Sequence, residues 1–297
     1  SSESVLGTSQ LKLIVDELKQ VLIAYSTRKE ETEDKGEEER HQATEQQSRQ
    51  KQKIQHEEIL NQVSDCLVAL IRIFEANFLP CFNELLFYIV ALLGSDNTVR
   101  ERDIALSIFY EVVQHCQDAA QKYCDICLSF VFKACTDENA YIRKEGCFGI
   151  KVFAEYGGLS FKCFVGDAIS CLDAVIGCTD TSELDDARAR DMAITALGKI
   201  CKFHPEKLDR AQVVHTWLGY LPLKHDMAAA QIAHDQLCSM VEKADKDLFG
   251  PHNINLPKII VVLGQVLTEA TGLASPWTAV RIKDLLKKLM KILPRTL

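Results

Sequence analysis

The fold is decided by residues 190–203, RDMAITALGKICKF, in which small and apolar side chains recur at helical spacing. Counting from Arg190, these side chains follow three, six, seven, ten and eleven places later, at Ala193, Ala196, Leu197, Ile200 and Cys201. Offsets of three, four and seven place all five on one stripe of an α-helix. The stretch therefore predicts a helix whose narrow apolar face allows neighbouring helices to approach closely.

The same spacing recurs along the chain at intervals of about 40 to 47 residues. Three further copies begin at Arg102, Arg143 and Ala230, and weaker copies cover residues 63–71 and 282–290. The stripes of the three copies are Ala105, Ile108, Phe109, Val112 and Val113; Gly146, Gly149, Ile150, Phe153 and Ala154; and Ala233, Leu237, Met240 and Val241. Gln236 is the one residue that breaks the pattern. A period of this length is typical of HEAT and armadillo arrays.

Further helical segments separate the stripes, and short breaks with proline or glycine end them. These segments cover residues 79–93, 119–135, 161–177, 210–220 and 256–268. We therefore predict an all-α fold, a HEAT-repeat superhelical solenoid (α-α superhelix) of about six helix pairs, each an outer helix followed by an inner one. The regular period disfavours the alternative of six unrelated amphipathic helices. The spacing from Asp137 to Arg143 resembles the HEAT signature, in which an aspartate caps the second helix and can meet an arginine of the neighbouring repeat.

The N-terminal part of the chain is organised differently. Residues 9–27 predict an amphipathic helix, whereas residues 28–55 are almost wholly polar and cannot bury apolar surface. We predict a first HEAT-like helix pair over residues 1–77 with a charged insertion at about 28–55, and a continuous array over 78–297. The insertion is either a solvated loop or an extended helix end. It acts either as a passive linker or as an acidic arm that touches basic cargo.

Composition limits the classes of partner. The chain has 297 residues and a formal net charge of −8, with no basic patch before its last turns, which disfavours direct nucleic-acid binding. The longest apolar run, residues 78–94, is interrupted by Asn83 and Glu84, so we expect no membrane insertion. No secretory signal opens the sequence, and we expect a reducing compartment in which the 12 cysteines stay free.

Cys124 and Cys127 form a C-x-x-C pair, with Cys116 and Cys135 nearby. A zinc site would need converging thiolates, and a redox pair would need a thiol whose pKa is lowered by a helix N-terminus. Because these cysteines lie within an apolar helical pattern, we predict structural packing, with no metal and no cofactor. The common phosphate-binding, dinucleotide-binding and nucleophile-elbow motifs are missing from the sequence, so we predict no catalytic residues.

Several stretches resemble the karyopherin-β (importin-β) superfamily, and its importin-5 branch in particular. They are AEYGG at 154–158, ALGKICKFH at 196–204, Trp217-Leu218 followed by Leu221-Pro222-Leu223, HDQLC at 234–238 and GPHNINLPKI at 250–259. These stretches follow one another in family order from about residue 78. The first 77 residues resemble the family only in character, as helix, charged insertion and helix.

The resemblance implies a nuclear import receptor that binds basic nuclear cargo, passes the pore on Phe-Gly nucleoporins and shuttles between cytoplasm and nucleus. Family members are several times longer, so we expect the C-terminal HEAT arch, as a fragment or a truncated member. Ran GTPase would then bind through N-terminal repeats that this sequence lacks. Phe-Gly peptides elsewhere in the family insert between outer helices. Trp217, on a predicted outer helix, is therefore expected either as a core anchor or in a Phe-Gly pocket.

Acidic residues on the predicted inner helices are the candidate cargo contacts. They are Glu111, Glu145, Glu155, Asp191, Asp235 and Glu242. Such a ladder suits lysine- and arginine-rich cargo, although each residue also fits a solvated surface position. Two other functions stay open at this point: a HEAT scaffold or regulatory subunit of another complex, such as a phosphatase, and an enzyme that uses the cysteines.

Overall fold

The structure is a computed structural model, and it describes residues 7–38, 43–178, 183–269 and 272–292. Within these ranges every regular element is a helix. The chain divides into two compact units, residues 1–127 and 128–297, with the boundary inside α5 (Cys124–Cys135). The boundary after residue 77, which we drew from composition, stays a prediction.

The first unit contains four long helices before α5. They are α1 (Thr8–Glu38), α2 (Ala43–Phe74), α3 (Leu79–Ala91) and α4 (Val99–Cys116). Two 3₁₀ segments, Glu75–Phe78 and Gln117–Tyr123, join α2 to α3 and α4 to α5.

The second unit continues with the remaining helices. They are α6 (Ala140–Tyr156), α7 (Gly158–Lys162), α8 (Val165–Gly177), α9 (Leu184–Phe203), α10 (Arg210–Tyr220), α11 (Met227–Glu242), α12 (Lys246–Phe249), α13 (Leu256–Thr268) and α14 (Pro276–Leu289). Apart from the short α7 and α12, the helices of the described ranges form six successive pairs in chain order, as predicted. We call α2, α4, α6, α9, α11 and α14 the second helices, and α1, α3, α5, α8, α10 and α13 the first helices.

The repeated stripe forms the core of the second helices. All the stripe residues counted from Arg102, Arg143 and Arg190 are buried. The fourth stripe is buried as well, including its polar exception Gln236. The weaker copies fit less well, because Cys66 and Met290 are exposed. Helical spacing alone therefore identifies the buried face wherever small and apolar residues occupy every position of the stripe.

The charged segment of the first unit continues the helices on either side of it. α1 runs through Glu38 and α2 begins at Ala43, so the described backbone of residues 28–55 is helical. This corresponds to the extended helix end, the second of the two alternatives above. Residues 39–42 lie outside the described part of the chain.

The turn before α6 corrects the predicted cap. Asn139, and not Asp137, caps α6, because its side-chain oxygen accepts from the backbone N–H groups of Tyr141 and Ile142 at 3.0 and 3.3 Å. Asp137 instead accepts from the backbone N–H of Asn139 at 2.9 Å. Arg143 donates to the carbonyl oxygen of Asp137 at 2.6 Å and also to the carboxylate of Asp186 in α9. The aspartate that meets this arginine therefore belongs to the next repeat.

Candidate protein-binding surface

Ion pairs connect successive second helices within each unit. In the first unit, Arg72 of α2 donates two hydrogen bonds to Glu111 of α4, at 2.7 and 2.6 Å. In the second unit, Lys199 of α9 donates to Glu155 of α6 at 2.7 Å. The partners lie 39 and 44 residues apart in sequence, which is one repeat. Each pair therefore joins two neighbouring repeats.

The last pair of second helices repeats this arrangement around a single arginine. Arg281 of α14 donates to both carboxylate oxygens of Glu242 in α11, at 2.9 and 2.7 Å. It also donates to the carboxylate of Asp235 and, at 3.0 Å, to the hydroxyl of Ser239. The hydrogen bonds from Arg281 to Glu242 hold the pKa of Glu242 below its ordinary value. Glu242 and Asp235 keep 42% and 47% of their side-chain surface exposed, so a ligand can reach them.

Five of the six predicted acidic contacts thus lie beside a cation of the protein itself. Glu111, Glu155, Asp235 and Glu242 are held by cations of another second helix, whereas Glu145 lies 3.5 Å from its neighbour Lys144. The sequence does place acidic groups at regular spacing, as expected. It did not reveal that basic groups one repeat away neutralise part of their charge.

Asp191, the sixth predicted contact, has an internal role. Its side chain is buried, and one carboxylate oxygen accepts from the backbone N–H groups of Lys224, His225 and Asp226 at 3.1, 2.7 and 3.0 Å. Burial raises the pKa of Asp191, and the three backbone hydrogen bonds oppose that rise. Asp191 therefore anchors the loop that leads into α11, which corrects its expected position on an open surface.

Trp217 takes the core position that was one of its two expected roles. Its ring in α10 is 1% exposed, and its indole N–H donates to the carbonyl oxygen of Ile194 in α9 at 3.1 Å. A Phe-Gly pocket would need an open ring, and this ring is enclosed. Two exposed aromatic side chains were missed in the sequence, Phe87 on α3 at 77% and Trp277 on α14 at 71%. The sequence does not distinguish these two residues from aromatic residues of the core, because the difference lies only in their exposure in the structure.

A groove on the second helices was also missed, because residues of several elements form it. It has a volume of about 600 Å³ and lies along α9, α11 and the start of α14. Its charged lining residues are Lys199, Lys202, Arg210, Asp235, Lys243 and Asp245. Arg210 donates to both oxygens of Asp245, at 3.0 and 2.5 Å, and also pairs with Asp247, so one guanidinium serves two carboxylates.

The cysteines of the C-x-x-C pair are packed in the interior. Cys124 and Cys127 are 1% and 0% exposed, and burial raises the pKa of the Cys127 thiol well above its ordinary value. Burial likewise raises the pKa of Cys116 to about 11. A thiol with a raised pKa is a poor nucleophile and a poor metal ligand at neutral pH. In the described ranges no group of three or more His, Cys, Asp and Glu side chains is arranged to hold a metal ion.

No helix in the described part of the chain has both the length and the apolar character needed to cross a bilayer.

Comparison with known proteins identifies the class of the fold. Residues 2–95 match the family model described as importin repeat 6. The match includes residues 2–77, where the sequence resembles the family only in its order of helix, charged insertion and helix. It also includes α3, the first helix of the second pair, and ends in the turn after it.

Solved structures of one karyopherin extend the comparison to almost the whole chain. Kap121p bound to Nup53p has a TM-score of 0.69 at 16% identity, covering 98% of this chain and 24% of that one. Kap121p bound to RanGTP has a TM-score of 0.62 at 16% identity, covering 85% and 22%. Kap121p bound to Pho4p also has a TM-score of 0.62 at 16% identity, covering 96% and 26%. The chain thus spans about a quarter of the length of these structures.

These findings define a HEAT-repeat protein built of successive helix pairs. More particularly, residues 2–95 are similar to importin repeat 6, and the described helix pairs share the fold of Kap121p.

Proposed function

We propose that the chain is a segment of a nuclear transport receptor and serves protein import by binding cargo, Phe-Gly nucleoporins or both. Three kinds of support lead to this proposal. One is the importin repeat in residues 2–95. Another is the fold of Kap121p, which has been solved with RanGTP, with Nup53p and with Pho4p. The third is the series of acidic groups on the second helices. Such a receptor works in both the cytoplasm and the nucleus.

The acidic groups of the second helices carry the proposal. A carboxylate offers about four acceptor positions, and a single arginine or lysine of the protein uses only some of them. Glu242 and Asp235 are roughly half exposed, so an incoming lysine or arginine can share these carboxylates or displace Arg281. Sharing a carboxylate costs less than displacing Arg281, because displacement would leave the largely buried guanidinium of Arg281 without its partners.

The charged segment at residues 28–55 extends the same proposal. Its acidic residues are concentrated at 30–39, which has seven Asp or Glu and one Lys, and the rest is rich in glutamine. Its described backbone continues two long helices. We propose that it acts as an acidic arm that attracts basic cargo over a distance. The range of that attraction is limited by the Debye length, about 8 Å at physiological salt.

We propose that Phe-Gly nucleoporins bind to the first helices, at a site other than Trp217. Phe87 on α3 is 77% exposed and stands edge-on to Tyr88, with ring centroids 5.5 Å apart. The exposed ring of Phe87 offers an apolar surface against which a Phe side chain can stack. Ran GTPase is expected to bind mainly through repeats outside this sequence.

A salt titration with labelled peptides tests the proposal. A lysine- and arginine-rich peptide and a Phe-Gly peptide are titrated with the full chain by fluorescence polarisation. We expect the basic peptide to bind at low salt and to weaken steeply as salt is raised. Glu242→Gln should weaken its binding by about twofold to fivefold, the range of an exposed ion pair. The matched control, Asp173→Asn, removes one exposed negative charge from the first helix α8 and should have little effect. Absence of binding to both peptides at low salt would refute the proposal.

A further inference from the structure

The groove along α9, α11 and α14 has an imbalance of charge that the acidic ladder does not explain. Four of its six charged lining residues are cations, and its two carboxylates, Asp245 and Asp235, already have arginine partners, Arg210 and Arg281. Two of its lysines have no such partner: within the described ranges, neither Lys202 nor Lys243 forms an ion pair with a carboxylate. We call Lys199, Lys202, Lys243 and the surface between them the lysine groove.

The three lysines have different environments that suit a common ligand. Lys199 is 13% exposed and is held by Glu155, so its position is fixed. Lys202 and Lys243 are exposed, and Lys202 lies over the ring of Phe203 at 4.7 Å from the centroid. One ordered cation, Lys199, and two accessible ones, Lys202 and Lys243, therefore line the same groove.

We propose that the lysine groove binds an acidic segment of a protein partner, through the carboxylates of its aspartate and glutamate side chains. Charge complementarity selects this ligand, because the unpaired charges of the groove are positive although the whole chain carries −8. A volume of about 600 Å³ is enough for several residues of an extended peptide. The lysine groove would bind negative groups, whereas the acidic residues of the second helices would bind positive ones. Together they suit a partner that carries both charges.

The test compares two fluorescein-labelled peptides on the full chain, one of alternating Glu and Ser and one in which Gln replaces every Glu. We expect the Glu peptide to bind at low salt and the Gln peptide to bind at least about tenfold more weakly. Lys202→Glu and Lys243→Glu should each weaken binding of the Glu peptide by about fivefold. Lys258→Glu on the first helix α13 makes the same charge change at an exposed position outside the groove and should have little effect.

Equal binding of the two peptides, or an equal loss with Lys258→Glu, would overturn the lysine groove as an acidic-peptide site. All the substituted lysines are exposed, so the variants should fold, and their circular dichroism and unfolding midpoints provide the check. The result is independent of the proposed function. Failure of the basic and Phe-Gly peptides would refute that proposal, whereas failure of the Glu peptide would refute only this one.

Discussion

The side-chain amide of Gln236 in α11 donates a hydrogen bond to the backbone carbonyl of Gly198 in α9 at 2.6 Å. The two helices belong to neighbouring repeats, and both residues are buried. A Cβ atom on Gly198 would lie 2.8 Å from the indole nitrogen of Trp217 and 3.2 Å from the amide nitrogen of Gln236. Gln236, the one break in the apolar pattern, is thus a buried connection between repeats that requires a glycine opposite it.

Gly198→Ala is expected to destabilise the protein by about 1–3 kcal/mol, because the added methyl group must push aside Trp217 or Gln236. The measurement is the free energy of unfolding by urea titration. Gly219→Ala in α10 is the control, since nothing lies within 4 Å of its added Cβ. Alanine is also the better helix former there, by about 0.5–1 kcal/mol, so this variant should gain stability. Equal effects of the two substitutions would contradict the close packing at Gly198.

Tryptophan fluorescence distinguishes the two roles that the sequence left open for Trp217. The chain has two tryptophans, one 1% exposed and the other, Trp277, 71% exposed. Trp277→Phe should leave blue-shifted emission that acrylamide quenches poorly, because the remaining indole is enclosed. Trp217→Phe should leave red-shifted, readily quenched emission and should also cost about 1–3 kcal/mol of stability through lost packing and the lost hydrogen bond to Ile194. Ready quenching in the Trp277→Phe variant would instead favour an open ring at Trp217.

The lowered pKa of Glu101 indicates that the protein should lose stability in acid. Burial alone would raise the pKa of this carboxyl, but hydrogen bonds from Lys29, the Thr98 backbone and Tyr25 hold it below its ordinary value of 4.5. A carboxyl with a lowered folded-state pKa contributes stability above the unfolded-state value, and this contribution disappears as pH falls through the folded-state value. The wild-type protein should therefore lose stability from about pH 4.5 downward, and Glu101→Gln should make the decline shallower.

Urea titrations at a series of pH values measure that decline. Glu242→Gln is a useful comparison, because the pKa of Glu242 is also lowered, by Arg281, but its side chain is largely solvated. Its effect on the slope should be smaller, since exposed ion pairs contribute little to stability. The same slope for wild type and Glu101→Gln would show that Glu101 is not held in its ionised form by the fold.

The sequence predicted the elements that depend on local spacing. Stripe residues such as Ala196 and Phe153 are buried because helical periodicity alone places them on the packed face. The missed features depend on groups about one repeat away. From the sequence, Asp191 is expected to be a surface acid. In the structure it is held by three backbone N–H groups of a loop 33 to 35 residues later. The lysine groove and the pairing of Glu155 with Lys199 likewise arise only when second helices pack side by side.

The central claim is that this chain binds proteins for transport, and a quantitative affinity pull-down from cell extract tests it most directly. Proteins recovered at low and high salt are compared by mass spectrometry between wild type and the Glu242→Gln variant. We expect basic nuclear proteins or Phe-Gly pore proteins to be enriched, and recovery of the basic ones to fall with rising salt and with Glu242→Gln. Stable, salt-resistant recovery of a phosphatase or kinase catalytic subunit, without nuclear cargo or pore proteins, would contradict it and identify a regulatory HEAT scaffold instead.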